Sequence, residues 1–161
     1  MKKISAGILI YRRNNNKELE FLLVHPGGPF WSKKDIGSWD IPKGGVNDGE
    51  EYFSAAKREA REELGFEVDG NFIELGNIVT KSGKTIYAWG VEASDFLKNG
   101  DKKIGTKSNM VKAKIPFLFM KEWPEVDRGE FFNTKEAKTK IFPSQIQFLE
   151  RLETILKSVK N

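Results

Sequence analysis

The chain has no cysteine, which removes disulfides, thiolate catalysis and cysteine metal sites together and fits a reducing compartment. Its only histidine is His25, which argues against zinc, since zinc favours nitrogen and sulfur donors. No apolar stretch reaches the roughly 20 residues needed to span a bilayer. The start, "MKKISAGILIYRRNNN", sets two lysines before an apolar run, as a secretory leader does. That run is short, contains Gly7 and meets Arg12-Arg13 with no small-residue cleavage pattern, so it reads as a buried strand. With no leader and no span, no membrane partner is expected, and the expected location is cytoplasmic.

The 161 residues are 39% hydrophobic and 31% charged, a composition that folds around a core rather than staying disordered. With no repeat, low-complexity tract or linker, one domain over residues 1–161 is expected. Lys+Arg at 27 exceed Asp+Glu at 23 for a net charge of +4. The lysines are scattered, and the densest basic stretch, Gly100–Ile115, lacks the interleaved aromatics of a nucleic-acid platform. It reads as a solvated loop, or as a basic rim that attracts an anionic substrate. Nucleic acid is not the expected partner.

Two alternating segments, Ser5–Arg13 and Leu19–Pro26, flank "NNNK" and predict a hairpin. A Gly/Pro-rich loop follows over His25–Gly45, of a length that is uncommon without a function. A helix is expected over Glu50–Leu64, capped by Asp48 with Glu51 three residues on, and stopped by Gly65. Phe72–Ala93 reads as two strands turning at Ser82-Gly83, and Ile115–Trp123 as another strand. Asn133 caps a short helix to Ile141. Pro143-Ser144 opens an amphipathic helix to Val159, with Ile146, Leu149, Leu152, Leu156 and Val159 on one stripe. Strands mixed with helices give an α/β (α+β) class, a mixed sheet between helices.

The sharpest chemical signal is "KREAREELGF", Lys57–Phe66. At about 100° per residue, Glu59, Glu62 and Glu63 share an arc of roughly 100°, beside an apolar stripe of Phe53, Ala56, Ala60 and Leu64. Arg61 points away from the cluster and Arg58 flanks it. Carboxylates held at the edge of a buried zone repel one another, and a hard divalent cation relieves that conflict. A solvated face of Glu/Arg pairs is the competing reading. The preceding Pro42-Lys43-Gly44-Gly45 turn can aim backbone groups at an ion or a phosphate.

Gly44–Phe66, "GGVNDGEEYFSAAKREAREELGF", resembles the Nudix box, G-x5-E-x7-R-E-U-x-E-E-x-G-U. Gly44, Glu50, Arg58, Glu59, Glu62, Glu63, Gly65 and Phe66 fill its places. Ala60 is small and Phe66 is aromatic where the pattern has bulky aliphatics. The resemblance implies the Nudix fold, with a loop–helix–loop catalytic motif, and hydrolysis of a nucleoside diphosphate linked to another group. It implies Mg²⁺, for which Mn²⁺ can substitute, held by Glu62 and Glu63. Glu59 either completes the metal set or takes the proton from water. The Lys43 carbonyl is a further ligand, and Glu50 and Arg58 orient the catalytic helix. A carboxylate from a later loop is expected to join, with Glu125 the candidate and Glu122 and Asp127 its rivals.

Outside the box, "WDIPKGG" is similar to Nudix enzymes of the dinucleoside polyphosphate type, and "FPSQIQFLERL", "HPGGPFW" and "EWPEVDRGEFF" to a bacterial branch acting on nucleoside polyphosphates. The expected partner is therefore a nucleotide of the diadenosine tetraphosphate kind. The alternatives are a nucleoside triphosphate pyrophosphohydrolase or a non-catalytic nucleotide sensor. Lys43, Gly44 and Gly45 are expected at the phosphates, with Lys84 and Tyr87 to contact phosphate and stack on a base. For Tyr87 and Trp89, core packing competes with that role. His25 is either structural or a substrate contact, and Phe30, Trp31 and Trp39 either wall a base pocket or plug the loop onto the sheet. "NIVTKSG" lacks the proline of ADP-ribose hydrolases. A monomer or homodimer is expected.

Overall fold

The structure, a computed structural model, describes residues 3–97, 103–104, 110–114 and 120–159, with 103–104, 110–114 and 120–123 as backbone alone. The predicted hairpin forms as β1 (Ile4–Arg13) and β2 (Leu19–Pro26). They pair antiparallel only at Tyr11–Arg13 and then diverge. The tail of the Gly/Pro loop fills the gap. Ile8 N–H donates to Pro42 O at 3.0 Å, Asp40 and Val24 exchange backbone bonds at 2.8 and 2.9 Å, and β3 (Lys43–Gly45) pairs with Ser5–Gly7. Gly7 is required there: a Cβ would lie 2.5 Å from Lys43 Cβ and 2.6 Å from Pro42 O. The divergence of two strands thus creates the place where the glycine turn sits.

β4 (Ile73–Val79) and β5 (Thr85–Glu92) form the second hairpin, and β5 runs parallel to β1. On the other side, β9 (Val126–Asn133) pairs with β2, and β6 (Lys103–Ile104) with β9. The order is β4-β5-β1-β2-β9-β6, with β3 beside β1. A separate ribbon joins β7 (Met110–Lys114) to β8 (Met120–Pro124). The stretch read as a solvated loop, Gly100–Ile115, therefore contributes β6 and β7; its other residues lie outside the described ones, as does Ile115–Phe119 of the strand expected to Trp123.

Strand alternation divides the interior into two cores. Leu9, Phe21, Leu23 and Phe132 face α2 (Thr134–Lys140) and α3 (Ile146–Val159). Ile8, Ile10, Leu22 and Phe131 face α1 (Tyr52–Leu64). The sheet is mixed and lies between helices, as expected. Asn133 caps α2 by accepting from Glu136 N–H at 2.9 Å. The helix opened by Pro143 begins with a 3₁₀ turn, and on α3 Phe148, Leu149 and Leu152 are buried. Truncating such a leucine to alanine costs about 2–5 kcal/mol. Val159 of the expected stripe is exposed, beyond the reach of the sheet.

Two sequence expectations need correction. α1 starts at Tyr52, not Glu50, and no side chain caps it. Asn47–Glu50 instead form a turn with Gly49 at φ 77°, because the Glu50 carboxylate is held by Arg58. The strand β9 was not expected, since its charged residues and a register shift at its start break the alternation.

Candidate active site on the glycine turn and the acidic helix

α1 lies flat on the sheet because its contact positions Ala55, Ala56 and Ala60 are small and fully buried. The Ala60 departure from the Nudix pattern is thus a close-packing position, and Phe66 packs towards Phe96. Gly65 ends the helix at φ 83°, donating to Arg61 O at 2.7 Å. Close approach to the sheet carries the acidic arc under the β3 turn. Glu59 and Glu63 are buried, and Glu62 is partly exposed. Lys43 N–H donates to Glu63 Oε2 at 3.2 Å. Gly44 lies so near Glu59 that a Cβ would stand 2.1 Å from its Oε2.

Arg58 organises the cluster with all its N–H groups. Nε and Nη2 donate to the two oxygens of Glu50 at 2.8 and 2.9 Å, and Nη2 also to Gly45 O at 2.9 Å. Nη1 donates to Glu59 Oε1 at 2.8 Å and Glu62 Oε2 at 3.2 Å. The two bonds from Arg58, and then one from Asn47 N–H at 3.1 Å, hold the Glu50 carboxyl down at about 2. They also revise the wheel: Arg61 does face away, pairing with exposed Glu67, but Arg58 neutralises part of the acidic arc.

Glu63 gains no such partner. Burial first, then Asp40, Glu125 and Glu59, push its carboxyl well above the ordinary range against the pull of Lys43. Glu125 comes from the β8–β9 junction to the exposed mouth of the same cavity; shielding there, with Glu59 and Glu62, raises its carboxyl too. Of its rivals, Asp127 turns to His25, and the Glu122 side chain lies outside the described residues. Asp40, which sequence reasoning missed, binds Lys43 Nζ at 2.9 Å, while its Oδ1 is buried without a partner. Burial of Lys43 is outweighed by Asp40, Glu63 and Glu125, so the ammonium is held more firmly than usual. The only sequence hint of Asp40 was its place three residues before Lys43 in "WDIPKGG".

Among the described residues, no three His, Asp or Glu side chains converge as a formed metal centre, since Arg58 takes an oxygen from both Glu59 and Glu62. The donor chemistry nonetheless fits a hard divalent cation. Glu59, Glu62, Glu63 and the Lys43 backbone supply oxygen only, the buried Glu63 lacks a counter-charge of its own, and Asp40 Oδ1 is orphaned beside it.

Two cavities meet here. One of 440 Å³ is lined by Asp40, Lys43, Gly44, Gly45, Glu63 and Glu125. Another of 880 Å³ runs towards α3 and is walled by Val79, Lys81, Ile86, Pro143 and Gln147. Trp31, Asp40, Lys43, Lys84 and Phe142 border both. Lys84 thus borders both cavities, its ammonium pK lowered by burial and by Lys43. Tyr87 is not brought here: it lies on the α1 face, its ring 4.5 Å from that of Tyr52. Trp89 packs on Phe53 on that face. In the loop, Trp39 is the buried plug, Trp31 a cavity wall set edge-on to Phe142 at 5.6 Å, and Phe30 exposed.

Known proteins resemble this chain in sequence and in fold. The family described as NUDIX domain matches residues 1–152. Asymmetrical bis(5'-nucleosyl)-tetraphosphatase of Mus musculus is 32% identical over 103 residues, 57% of this chain and 66% of that protein; the Sus scrofa enzyme is 30% identical over the same spans. The match thus spans slightly under two thirds of those relatives. In fold, the chain is similar to a C. elegans Ap4A hydrolase binary complex, with TM-score 0.65, 21% identity and coverage of 96% and 98%. It is also similar to the NUDIX domain of Shewanella oneidensis NrtR complexed with ADP ribose, with TM-score 0.63, 12% identity and coverage of 97% and 89%. On the box residues, their placement around one turn and helix, and a match over nearly its whole length, the chain belongs to the NUDIX domain family.

Proposed function

We propose that the protein is a pyrophosphohydrolase that cleaves a phosphoanhydride bond in a dinucleoside polyphosphate of the Ap4A type, with Mg²⁺, or Mn²⁺ in its place. The observation that carries this reading is the junction of an acidic cavity with a larger, partly apolar one at Lys43 and Lys84. A polyphosphate needs oxygen-held cations at the bond that breaks, cationic side chains along its length and a flat apolar wall for a base. The similarity to asymmetrical tetraphosphatases points to the same substrate class.

Glu62, Glu63 and the Lys43 carbonyl would hold the cation, with Glu125 joining from the opposite wall. When bound, the cation supplies charge neutralisation at phosphorus and makes water acidic enough to attack near neutral pH. Glu59 either completes that set or receives the water's proton. Arg58 and Glu50 fix α1 against the glycine turn, so that carboxylates and turn keep one geometry. Lys43 and Lys84 balance phosphate charge, with Gly44 and Gly45 beside it. Trp31 and Phe142 wall the nucleoside lobe.

The test is Mg²⁺-dependent hydrolysis of a panel of Ap4A, nucleoside triphosphates, oxidised nucleoside triphosphates, ADP-ribose and nucleotide sugars, with products identified. Ap4A split asymmetrically, with highest kcat/KM, is expected. Faster turnover of nucleoside triphosphates would move the substrate, and no turnover of any member would replace catalysis with sensing.

A further inference from the structure

His25 is fully buried at the end of β2, and its ring touches two segments far apart in sequence. Nδ1 lies 3.0 Å from Asp127 Oδ1 and Nε2 lies 2.7 Å from Lys34 O. A carboxylate and a carbonyl both only accept, so both bonds exist together only when each ring nitrogen carries a hydrogen. Trp39 closes the ring edge-on at 5.1 Å. The charged groups facing it are Asp127 and, behind it, Arg128, whose Nε is 3.7 Å from the same Oδ1.

Each bonded segment carries one wall of the catalytic cavity. β9 pairs Val126 with Pro26 and Arg128 with His25, leaving Asp127 as the extra residue of a bulge. Bulges re-aim neighbouring side chains, and two residues before this one Glu125 faces the acidic cluster. Its carbonyl accepts from Gly27 N–H at 2.9 Å, in a contact so close that a Cβ on Gly27 would stand 1.8 Å from Pro124 O. On the other side, Lys34 N–H donates to Trp31 O at 2.9 Å, closing the turn that presents Trp31.

We propose that His25 is a positioning residue: by donating from both nitrogens to Asp127 and to Lys34, it braces Glu125 and Trp31 on facing walls of the cavity. Only the kinetic arm of its test rests on the hydrolase reading.

Because the chain has one histidine, long-range ¹H–¹⁵N spectra of the intact protein report this ring alone. Hydrogens on both nitrogens are expected, as the two acceptors require; a bare ring nitrogen overturns the proposal. In His25→Gln, amide exchange of Gly27 and Lys34 should accelerate about tenfold while that of Ile8 stays unchanged. Should that variant fail to fold, Asp127→Ala, at a carboxylate a third exposed, should give the same pattern; unchanged exchange in the folded variant refutes the brace. In turnover, His25→Gln should lower kcat about tenfold in the wild-type background and less than about twofold with Glu125→Gln present. Equal losses in both backgrounds contradict action through Glu125. Absence of any wild-type turnover would sink the hydrolase reading and leave the spectra and exchange to decide on His25.

Discussion

The Arg58 guanidinium meets the Glu50 carboxylate side-on, Nε to Oε2 at 2.8 Å and Nη2 to Oε1 at 2.9 Å. This fork ties the turn before α1 to the middle of the helix, and the remaining N–H groups of Arg58 reach Gly45, Glu59 and Glu62. Lysine cannot reproduce a planar fork. Arg58→Lys should therefore lower kcat about 10–100-fold, the usual cost of losing a group that orients ligands, while circular dichroism shows an intact fold.

The same pair sets an acid response. With its folded-state carboxyl at about 2 against an ordinary 4.5, Glu50 contributes stability that is complete above about pH 4.5 and lost as pH falls towards 2. The stability gap between wild type and Glu50→Gln should be flat near neutrality and close across that window in urea melts at stepped pH. A gap that persists to pH 2 would show that the fork is not its source.

Glu63 has the opposite sign. Its carboxyl is raised by burial and by Asp40, Glu125 and Glu59, so losing its proton costs more in the folded chain than in the unfolded one, and stability falls as pH rises above the ordinary 4.5. Glu63→Gln should raise Tm in EDTA at neutral pH, lose most Mg²⁺-dependent turnover and lose the Tm gain that Mg²⁺ gives the wild type. Glu62→Gln should also lose turnover without unfolding. Near-wild-type rates in both would remove the carboxylates from the metal assignment.

Local order was legible in the sequence wherever a local cause sets it. The β1–β2 hairpin follows from alternation, the α2 cap from Asn133, the α1 stop from Gly65, and the acidic arc from helical spacing. Long-range pairing was not legible. Asp40 sits beside Glu63 only because the loop tail fills the gap between β1 and β2. The face that Tyr87 occupies is set by its parallel pairing with Ala6. β9 was hidden because Asp127 is the extra residue of a bulge and bonds to His25. The wheel put Arg58 at the flank of the glutamates, but its grip on Gly45 and Glu50 depends on a turn that no periodicity describes.

Gly44→Ala tests the contact between turn and helix. Its Cβ would stand 2.1 Å from Glu59 Oε2, and the flexible carboxylate will yield before the paired backbone does. The expected result is a loss of kcat of about tenfold or more from a misplaced Glu59, with little change in Tm. A large drop in Tm with unchanged kcat in the folded fraction would show that the backbone moved instead.

The walls of the proposed nucleoside lobe give the last contrast. Trp31 borders both cavities and meets Phe142 edge-on, whereas Tyr87 packs on Tyr52 across the sheet. Loss of an aromatic face against a base costs about 1–3 kcal/mol, so Trp31→Ala should raise KM for a dinucleotide about tenfold, with kcat changed less. Tyr87→Ala, which leaves both lobes intact, should keep KM within about twofold and instead lower Tm through the lost ring contact, worth about 0.5–1.5 kcal/mol. The opposite ranking of KM would move the base to the α1 face. Each variant needs one saturation curve and one melt, and the two proposed locations for the base predict opposite outcomes.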